Sequence, residues 1–376
     1  MIDQIDKRGS LSFSEYQNLA LYSSQGGFYA RRGSAGRKGD FITSPEVGNL
    51  FGRVMASALD RYWRGLGSPD PFHAIEGGAG VGTLAASIFD AEPECISALR
   101  YVAVERSASL RTEHIGTLPV NTPERVLSLD PEVIRRGPAV ASMADLPEGK
   151  FTGVVIANEL LDNLAVDIYE WRAGRWHEVR VGLSKHGDLI EVFRSLPEDE
   201  PVVEWLRELG DSPAPHARLA LQSAACDWLA RALGLIDSGH VVVIDYVRTS
   251  GWMLAHPWGE WLRTYRGQRV GTSPLESPGA QDITCELALD QLAAVRTPDR
   301  NRSQTDFLEA NGLAELVSEA REHWHSSADV ADLASMKARS RVNEGRALTD
   351  PSGLGRFRVL EWDVPPRPAR KNAPAT

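Results

Sequence analysis

The sequence predicts an α/β protein built on a doubly wound parallel sheet, and two observations carry that expectation. Residues 73–84 read HAIEGGAGVGTL: an apolar run ends in an acid, four glycines follow (Gly77, Gly78, Gly80, Gly82), and a helix-like run, TLAASIF, begins at once. Further apolar runs of strand length, RYVAV at 100–104, VVIA at 154–157 and VVVI at 241–244, alternate with helical patterns. Such runs suit parallel strands buried on both faces.

Strand, glycine turn and helix bring backbone close to a nucleotide-like ligand. Glycine leaves no Cβ in the way, and the helix start offers free N–H groups. The motif differs from the dinucleotide fingerprint because Glu76 precedes the glycines. A carboxylate there repels pyrophosphate and suits an ammonium or sulfonium group, which favours S-adenosylmethionine over NAD or FAD. An ordinary glycine-rich turn is the plainer alternative.

The other elements follow in order. Residues 12–21 read as a short amphipathic helix, and 26–39 as a basic, glycine-rich loop. A helix is expected from Pro45 to about Trp63, with Val47, Leu50, Phe51, Val54, Met55 and Ala58 at helical spacing and Ser44 as its N-cap. A third core strand is placed at 139–142, between RYVAV and VVIA. Residues 166–193 alternate apolar and polar around AGR and KHGD turns, as an antiparallel hairpin or small meander does. Residues 249–283, rich in Gly, Pro and Trp, read as a long ordered loop over one sheet face. The expected layout is an N-terminal helical cap (1–65), a core (66–362) with insertions at about 166–235 and 249–296, and a disordered Pro-rich tail (363–376).

The 376 residues and 42% hydrophobic content allow a large core. A net charge of −10 gives no electrostatic case for nucleic acid or an anionic membrane. No apolar run is long enough to span a bilayer. Cys95, Cys226 and Cys285 are scattered, odd in number and without CxxC, which argues against a disulfide framework. The N-terminal MIDQIDKRGSLSF has neither an apolar signal core nor an Arg-rich transit pattern. The expected compartment is the cytoplasm.

Three clusters carry candidate chemistry. Glu105 ends the second strand, where a carboxylate accepts from ribose hydroxyls; Asp145, after the third strand, is placed to meet an adenine amino group. ANELLDN (157–163) follows the fourth strand at the switch in strand order. A helical turn there would put Glu159 and Asp162 on one face, able to hold a guanidinium or draw a proton from an attacking nitrogen. Capping by Asn158 with solvated acids is an equal alternative. GDFITSPE (39–46) places Asp40, Thr43, Ser44 and Glu46 before a helix, either as its cap or closing over the cofactor. His323-Trp324-His325 lacks a third metal ligand nearby and reads as an exposed helix patch. No metal is expected. The Trp171/Trp176 and Trp252/Trp258/Trp261 groups read as packing.

Together these stretches resemble the MidA-like S-adenosylmethionine-dependent methyltransferases, relatives of a mitochondrial protein-arginine methyltransferase that assists complex I assembly. The matching stretches are GDFITSPEVGNLFG, EGGAGVGTL, ANELLDNLAV, IDY (244–246), SPGAQDIT (277–284) and QTDFLEANG (304–312). The resemblance spans nearly the whole chain. It implies a class I, Rossmann-like methyltransferase sheet with an N-terminal helical region and β-rich insertions. It implies S-adenosylmethionine near Glu76, Gly78 and Gly80, with Glu105 on the ribose. It also implies site-forming roles for the 39–46 segment, Phe41 included, and for Asn158, Glu159 and Asp162. Asp245, Tyr246 and Asp282 lie in its matching stretches and are taken as acceptor-side residues. The chain departs from the family pattern at Ala79 and Val81, where proline and arginine are usual, at Ala165 for proline, and at Val247 for glycine.

The leading expectation is methyl transfer to nitrogen on a protein arginine, with Glu159 and Asp162 orienting the guanidinium. A small-molecule acceptor and a non-catalytic assembly protein on the same fold are the alternatives. The sequence leaves the oligomeric state open.

Overall fold

The computed structural model describes residues 1–30, 43–128, 137–209, 213–266, 269–326 and 332–366. Strands β1 (Phe72–Gly77), β2 (Leu99–Val104), β3 (Ala139–Met143) and β4 (Phe151–Asn158) come first. A meander follows, β5 (Asp167–Arg172), β6 (Arg175–Leu183), β7 (Leu189–Ser195) and β8 (Arg218–Leu221). Then come β9 (Ile236–Asp245), β10 (Leu262–Arg266), β11 (Asp282–Cys285), β12 (Arg300–Ser303) and β13 (Arg358–Val364). The main sheet has the order β12-β13-β9-β4-β1-β2-β3. Strands β9, β4, β1, β2 and β3 run parallel, and β13 and β12 close one edge antiparallel. The chain leaves β1 toward β2 and returns at β4 on the other side. The carboxyl ends of β1 and β4 therefore flank the crevice in which open α/β sheets bind ligands.

Alternation along the parallel strands feeds two cores. Ala74, Tyr101, Val154 and Val242 face one side, while Ile75, Val102, Val155 and Val243 face the other. On the first side lies α4 (Asn49–Gly65), which buries Leu50, Phe51, Val54, Met55, Ala58, Leu59 and Tyr62 along one stripe. The helix expected from Pro45 is broken at Gly48. Ser44–Val47 forms a separate turn, α3, with Thr43 rather than Ser44 at its N-cap. The cause is Glu344, whose carboxylate accepts the Leu50 N–H at 3.0 Å. It fills the space where a Cβ on residue 48 would stand.

A third core lies beside the sheet. It joins the first residues, including helices α1 (Ile2–Arg8) and α2 (Phe13–Tyr22), to the meander and to Met253, Trp261, Leu262 and Ile283. Ser12 and Glu15 form a capping box at the start of α2. Gln17 of α2 accepts the Val166 N–H and donates to the Ile283 carbonyl, tying the three segments together. Residues 1–65 thus divide between two cores instead of forming one cap. Helix Ser223–Leu235 packs on the main sheet through Ala225, Leu229 and Ala232, so the first insertion ends before it. The expected loop at 249–283 is a helix (Ser250–Ala255) and a hairpin-like sheet in which β10 pairs antiparallel with β11. Its LRTYR and DITC runs alternate like strands, and Trp261 is fully buried beneath them. Residues 167–195 form the expected meander, and β3 stands where the third strand was placed. Residues 367–376 of the expected tail lie outside the described residues.

Gly153 in β4 has φ +155°, and a Cβ there would lie 1.9 Å from the His73 carbonyl oxygen of β1. Gly153→Ala is expected to cost more than about 3 kcal/mol in urea denaturation, because backbone and not a side chain must yield. Gly234→Ala, with nothing within 4 Å of the added carbon, is expected to be neutral or to stabilise by up to about 1 kcal/mol.

Candidate functional site

Over the carboxyl ends of the parallel strands lies a cavity of about 560 Å³. Its floor is the glycine turn. Gly78 and Gly80 take φ of +69° and +56°, which lets the chain reverse tightly between β1 and the helix Thr83–Asp90. Two bonds fix the turn to β2: Ala79 N–H donates to the Val104 carbonyl at 3.0 Å, and Gly80 N–H to Glu105 Oε2 at 3.0 Å. The other Glu105 oxygen accepts from Ser107 N–H at 2.7 Å. The Gly80 carbonyl is within hydrogen-bond distance of the buried His114 ring, 2.9 Å away. Glu76, Gly77, Gly78, Gly80, Glu105 and Asp145 all line the cavity. Gly82 does not; it takes αL geometry as the N-cap of the helix. Asp145 stands at the rim, largely exposed and paired with Arg231 at 2.9 Å.

The second wall is the segment after β4. No helix runs through Glu159 and Asp162, contrary to the spacing argument. Glu159 sits at φ +51°, an uncommon conformation for a residue with a side chain, and a single 3₁₀ turn (Leu161–Asn163) follows. Both sides hold this kink. Glu159 N–H donates to the Ile244 carbonyl at 2.9 Å. Its Oε1 accepts from the Ser44 N–H at 2.9 Å and from Asn158 Nδ2 at 3.1 Å. Asn158 ends β4 and caps nothing. Ser44 is buried, and its hydroxyl donates to Gln304 at 3.2 Å. Asn158, Glu159, Thr43 and Glu46 line the cavity; Asp162 is buried beside them.

The residues taken as acceptor-side act one layer back. Asp245 is fully buried, and its carboxylate accepts from the N–H groups of Leu161, Asp162 and Tyr246 at 3.1, 3.2 and 2.8 Å. It holds the 161–163 turn in place and does not line the cavity. Tyr246 packs on Phe357, with ring centroids 4.1 Å apart. Asp282 accepts from Asn163 Nδ2 and from the Tyr29 hydroxyl. Asp40 and Phe41 lie outside the described residues.

Several lining residues were not expected from the sequence. Tyr22 and Tyr29 stack at 5.3 Å, and the Arg106 guanidinium sits 4.4 Å over Tyr22. Trp228 closes the cavity from the helix Ser223–Leu235, touching the Gly77 backbone position. Helical periodicity marks Trp228 only as one side of an amphipathic face. Nothing local marks the tyrosines, which come from a different core.

Among the described residues, six carboxyl groups and two guanidiniums line the cavity. Burial dominates their chemistry. It pushes Glu159 up to about 8, against the lowering effect of the Ser44 N–H and with a further rise from Asp245. Burial pushes Glu76 to about 7, opposed by the Tyr101 hydroxyl at 2.7 Å. Burial also raises Glu46 to about 7, opposed by Thr43, and raises Glu105 in spite of its backbone donors. Asp162 is held well above the usual carboxylate range by burial and by Asp245, Asp282 and Glu159. Such a cavity favours a cation, whose charge restores the ionised forms.

A family model described as "Putative S-adenosyl-L-methionine-dependent methyltransferase" matches residues 54–304. The chain is 27% identical over 303 residues to the Drosophila melanogaster homolog of the mitochondrial protein arginine methyltransferase NDUFAF7, covering 74% of this chain and 65% of that one. It is 29% identical over 302 residues to the Mus musculus NDUFAF7, covering 77% and 67%. The chain thus spans about two thirds of the length of these relatives. In fold it is similar to a COG1565 superfamily member from Burkholderia thailandensis bound to S-adenosyl-homocysteine, with a TM-score of 0.76, 24% identity, and 96% and 90% of the two chains covered.

Two measurements check this arrangement. Because the Glu159 carboxyl is raised in the folded protein, the unfolded chain ionises first as pH rises. Its contribution to stability is therefore lost between about pH 4.5 and 8. Glu159→Gln is expected to match wild type near pH 4.5 and to exceed it by up to about 4 kcal/mol at pH 8 in urea denaturation. Asp245→Ala, which strands three backbone donors, is expected to cost about 2–4 kcal/mol, and Asp245→Asn less, since one acceptor remains.

Proposed function

The chain belongs to the S-adenosyl-L-methionine-dependent methyltransferase family, and from that premise we propose that it methylates a guanidinium nitrogen of a protein arginine. One observation carries the choice of acceptor. Around Glu159, three buried oxygens have no hydrogen-bond donor among the described residues: Glu46 Oε2, Asn158 Oδ1 and Asp162 Oδ1. Glu46 acts electrostatically on Glu159, Glu159 on Asp162, and Asn158 bonds Glu159. Acceptors left without donors are costly in a closed site. A guanidinium brings five N–H donors and a positive charge to such a set. The names of the NDUFAF7 relatives support the same acceptor.

The donor fits the opposite end of the cavity. S-adenosylmethionine supplies an electrophilic methyl group on a sulfonium. The glycine turn presents bare backbone at Gly78 and Gly80, Glu105 keeps free lone pairs for hydroxyl donors, and Glu76 offers a buried carboxylate to a cation. Asp145 stands at the adenine end.

The chain's own task is alignment, exclusion of water and removal of one proton. Glu159 and Asp162 accept guanidinium N–H bonds and turn one nitrogen toward the donor, which is catalysis by positioning. Ionised by the bound guanidinium, the Glu159 carboxylate is placed to take the proton that the nitrogen loses. Asp245 and Asp282 hold that constellation without touching the acceptor. Tyr22, Tyr29 and Trp228 wall the cavity from solvent. For the compartment we propose the cytoplasm, resting on three unpaired cysteines, two of them buried; the named relatives are mitochondrial.

Transfer of labelled methyl from S-adenosylmethionine into lysate, with protein separated from small molecules, tests the reading. Label is expected on protein arginine; label confined to metabolites would overturn it. Glu159→Gln is expected to lower transfer at least ~100-fold while S-adenosylhomocysteine affinity changes less than about threefold. Unchanged transfer would remove Glu159 from its role.

A further inference from the structure

Beyond the acidic cavity, the same edge of the molecule carries the opposite charge. Three guanidiniums converge on one buried carboxylate, Glu286. Arg248 Nε lies 2.9 Å from Oε2, Arg263 Nη2 2.8 Å from Oε1, and Arg356 Nη2 4.0 Å from Oε1. Glu286 is 4% exposed, whereas the arginines are 34%, 21% and 37% exposed. Among the described residues Glu286 is the carboxylate within ion-pair distance of the three, so the group presents a surplus of positive charge on a chain whose net charge is −10. Aromatic faces preset two of them: Arg248 lies 4.4 Å over Trp252, and Arg356 5.8 Å from the Tyr246 ring centre.

This group joins the site through packed and hydrogen-bonded neighbours. Tyr246 follows Asp245 at the end of β9 and is electrostatically coupled to Glu159. Its ring packs on Phe357, the residue after Arg356. The Phe357 carbonyl accepts the Gln304 N–H, and Gln304 accepts the Ser44 hydroxyl beside Glu159. Of these linking residues Phe357, Gln304 and Ser44 are buried, and the register of β4, β9 and β13, Asn158 beside Ile244 and Ile244 beside Val359, sets the acceptor-side acids and the arginine group at the same carboxyl edge of the sheet.

We infer that Arg248, Arg263 and Arg356 form an anion subsite that binds acidic side chains flanking the target residue of the acceptor. The inference rests on the arginine reading of the acidic cavity. A cation enters among Glu46, Glu159 and Asp162 while neighbouring Asp or Glu carboxylates meet the guanidiniums, which suit them by fork geometry. The alternation matters. A uniform polyanion such as single-stranded nucleic acid would place phosphates against the acids as well, at a repulsive cost. A peptide of mixed charge satisfies both ends and is steered into register.

The test is fluorescence anisotropy with the full chain and S-adenosylhomocysteine, using short labelled peptides with a central arginine and Asp/Glu, Gln or Lys flanks. The acidic-flank peptide is expected to bind at least ~10-fold tighter than the Lys-flank peptide, with a loss of preference at high salt. Arg356→Glu is expected to remove most of that preference and leave S-adenosylhomocysteine affinity unchanged, since Glu286 keeps Arg248 and Arg263. Equal binding of all flanks, absence of binding, unchanged preference in Arg356→Glu, or tighter binding of an oligothymidylate would each overturn the subsite. Replacing the central arginine by glutamine separates the two ideas: an acidic preference that persists without loss of affinity upholds the subsite and removes the arginine reading.

Discussion

The site depends on keeping carboxyl groups dry at the ends of parallel strands. Glu76, Glu159, Asp162, Asp245 and Asp282 are all buried or nearly so. Ion pairing does little of the work inside. Backbone N–H groups and hydroxyls hold the acids instead: three N–H groups on Asp245, the Ser44 N–H on Glu159, the Tyr101 hydroxyl on Glu76. Dipoles of this kind fix a carboxylate's position but oppose only part of its desolvation. The acids therefore stay poised between protonation states, and a bound cation tips them toward charge. Had arginines or lysines paired with them, the same acids would be structurally content and unavailable to a ligand.

That constraint explains the second core. The parallel sheet alone leaves its carboxyl edge open to water. Closure comes from α2, the meander and the 249–288 region, which share one apolar cluster with Trp261 and Ile283. From that cluster Tyr22 and Tyr29 reach the cavity, and the Tyr29 hydroxyl lies 3.0 Å from Asn163 and 3.2 Å from Asp282. Gln17 binds two separate segments with its one amide. The insertions are thus the material that lowers the local dielectric around the acids, and their packing is coupled to the chemistry through these few polar contacts.

What was legible in the sequence was local. The glycine turn, Glu105 and the 157–163 segment each belong to one strand and the residues just after it, so pattern and spacing suffice to place them. The switch between the first and fourth strands follows from alternation and the right-handed crossover. What was not legible depends on distant residues. Gly48 breaks a helix because Glu344, far along the chain, occupies its Cβ position. Glu159 adopts a left-handed conformation because Ile244 and Ser44 hold it from two sides, whereas a three-residue spacing of acids suggests a helical face. Asp245 reads as a site acid yet serves as a cap, since only the fold shows which N–H groups surround it. Tyr22 and Tyr29 carry no local signal at all.

The departure from the family pattern within the glycine turn bears on the same balance. The resemblance implies proline where Ala79 stands, and proline has no N–H. Here that N–H donates to the Val104 carbonyl at 3.0 Å. A rigid ring is thus replaced by a tether to β2, and the turn keeps its attachment by a different bond. The resemblance implies arginine where Val81 lines the cavity. With valine there, the guanidiniums among the described lining residues are Arg231, paired with Asp145 at the rim, and Arg106, bonded to Asn18 and set over Tyr22. The acids of the floor are left less compensated. The two substitutions therefore act together: one preserves the shape of the turn, and the other deepens the negative potential that the turn presents to its ligand.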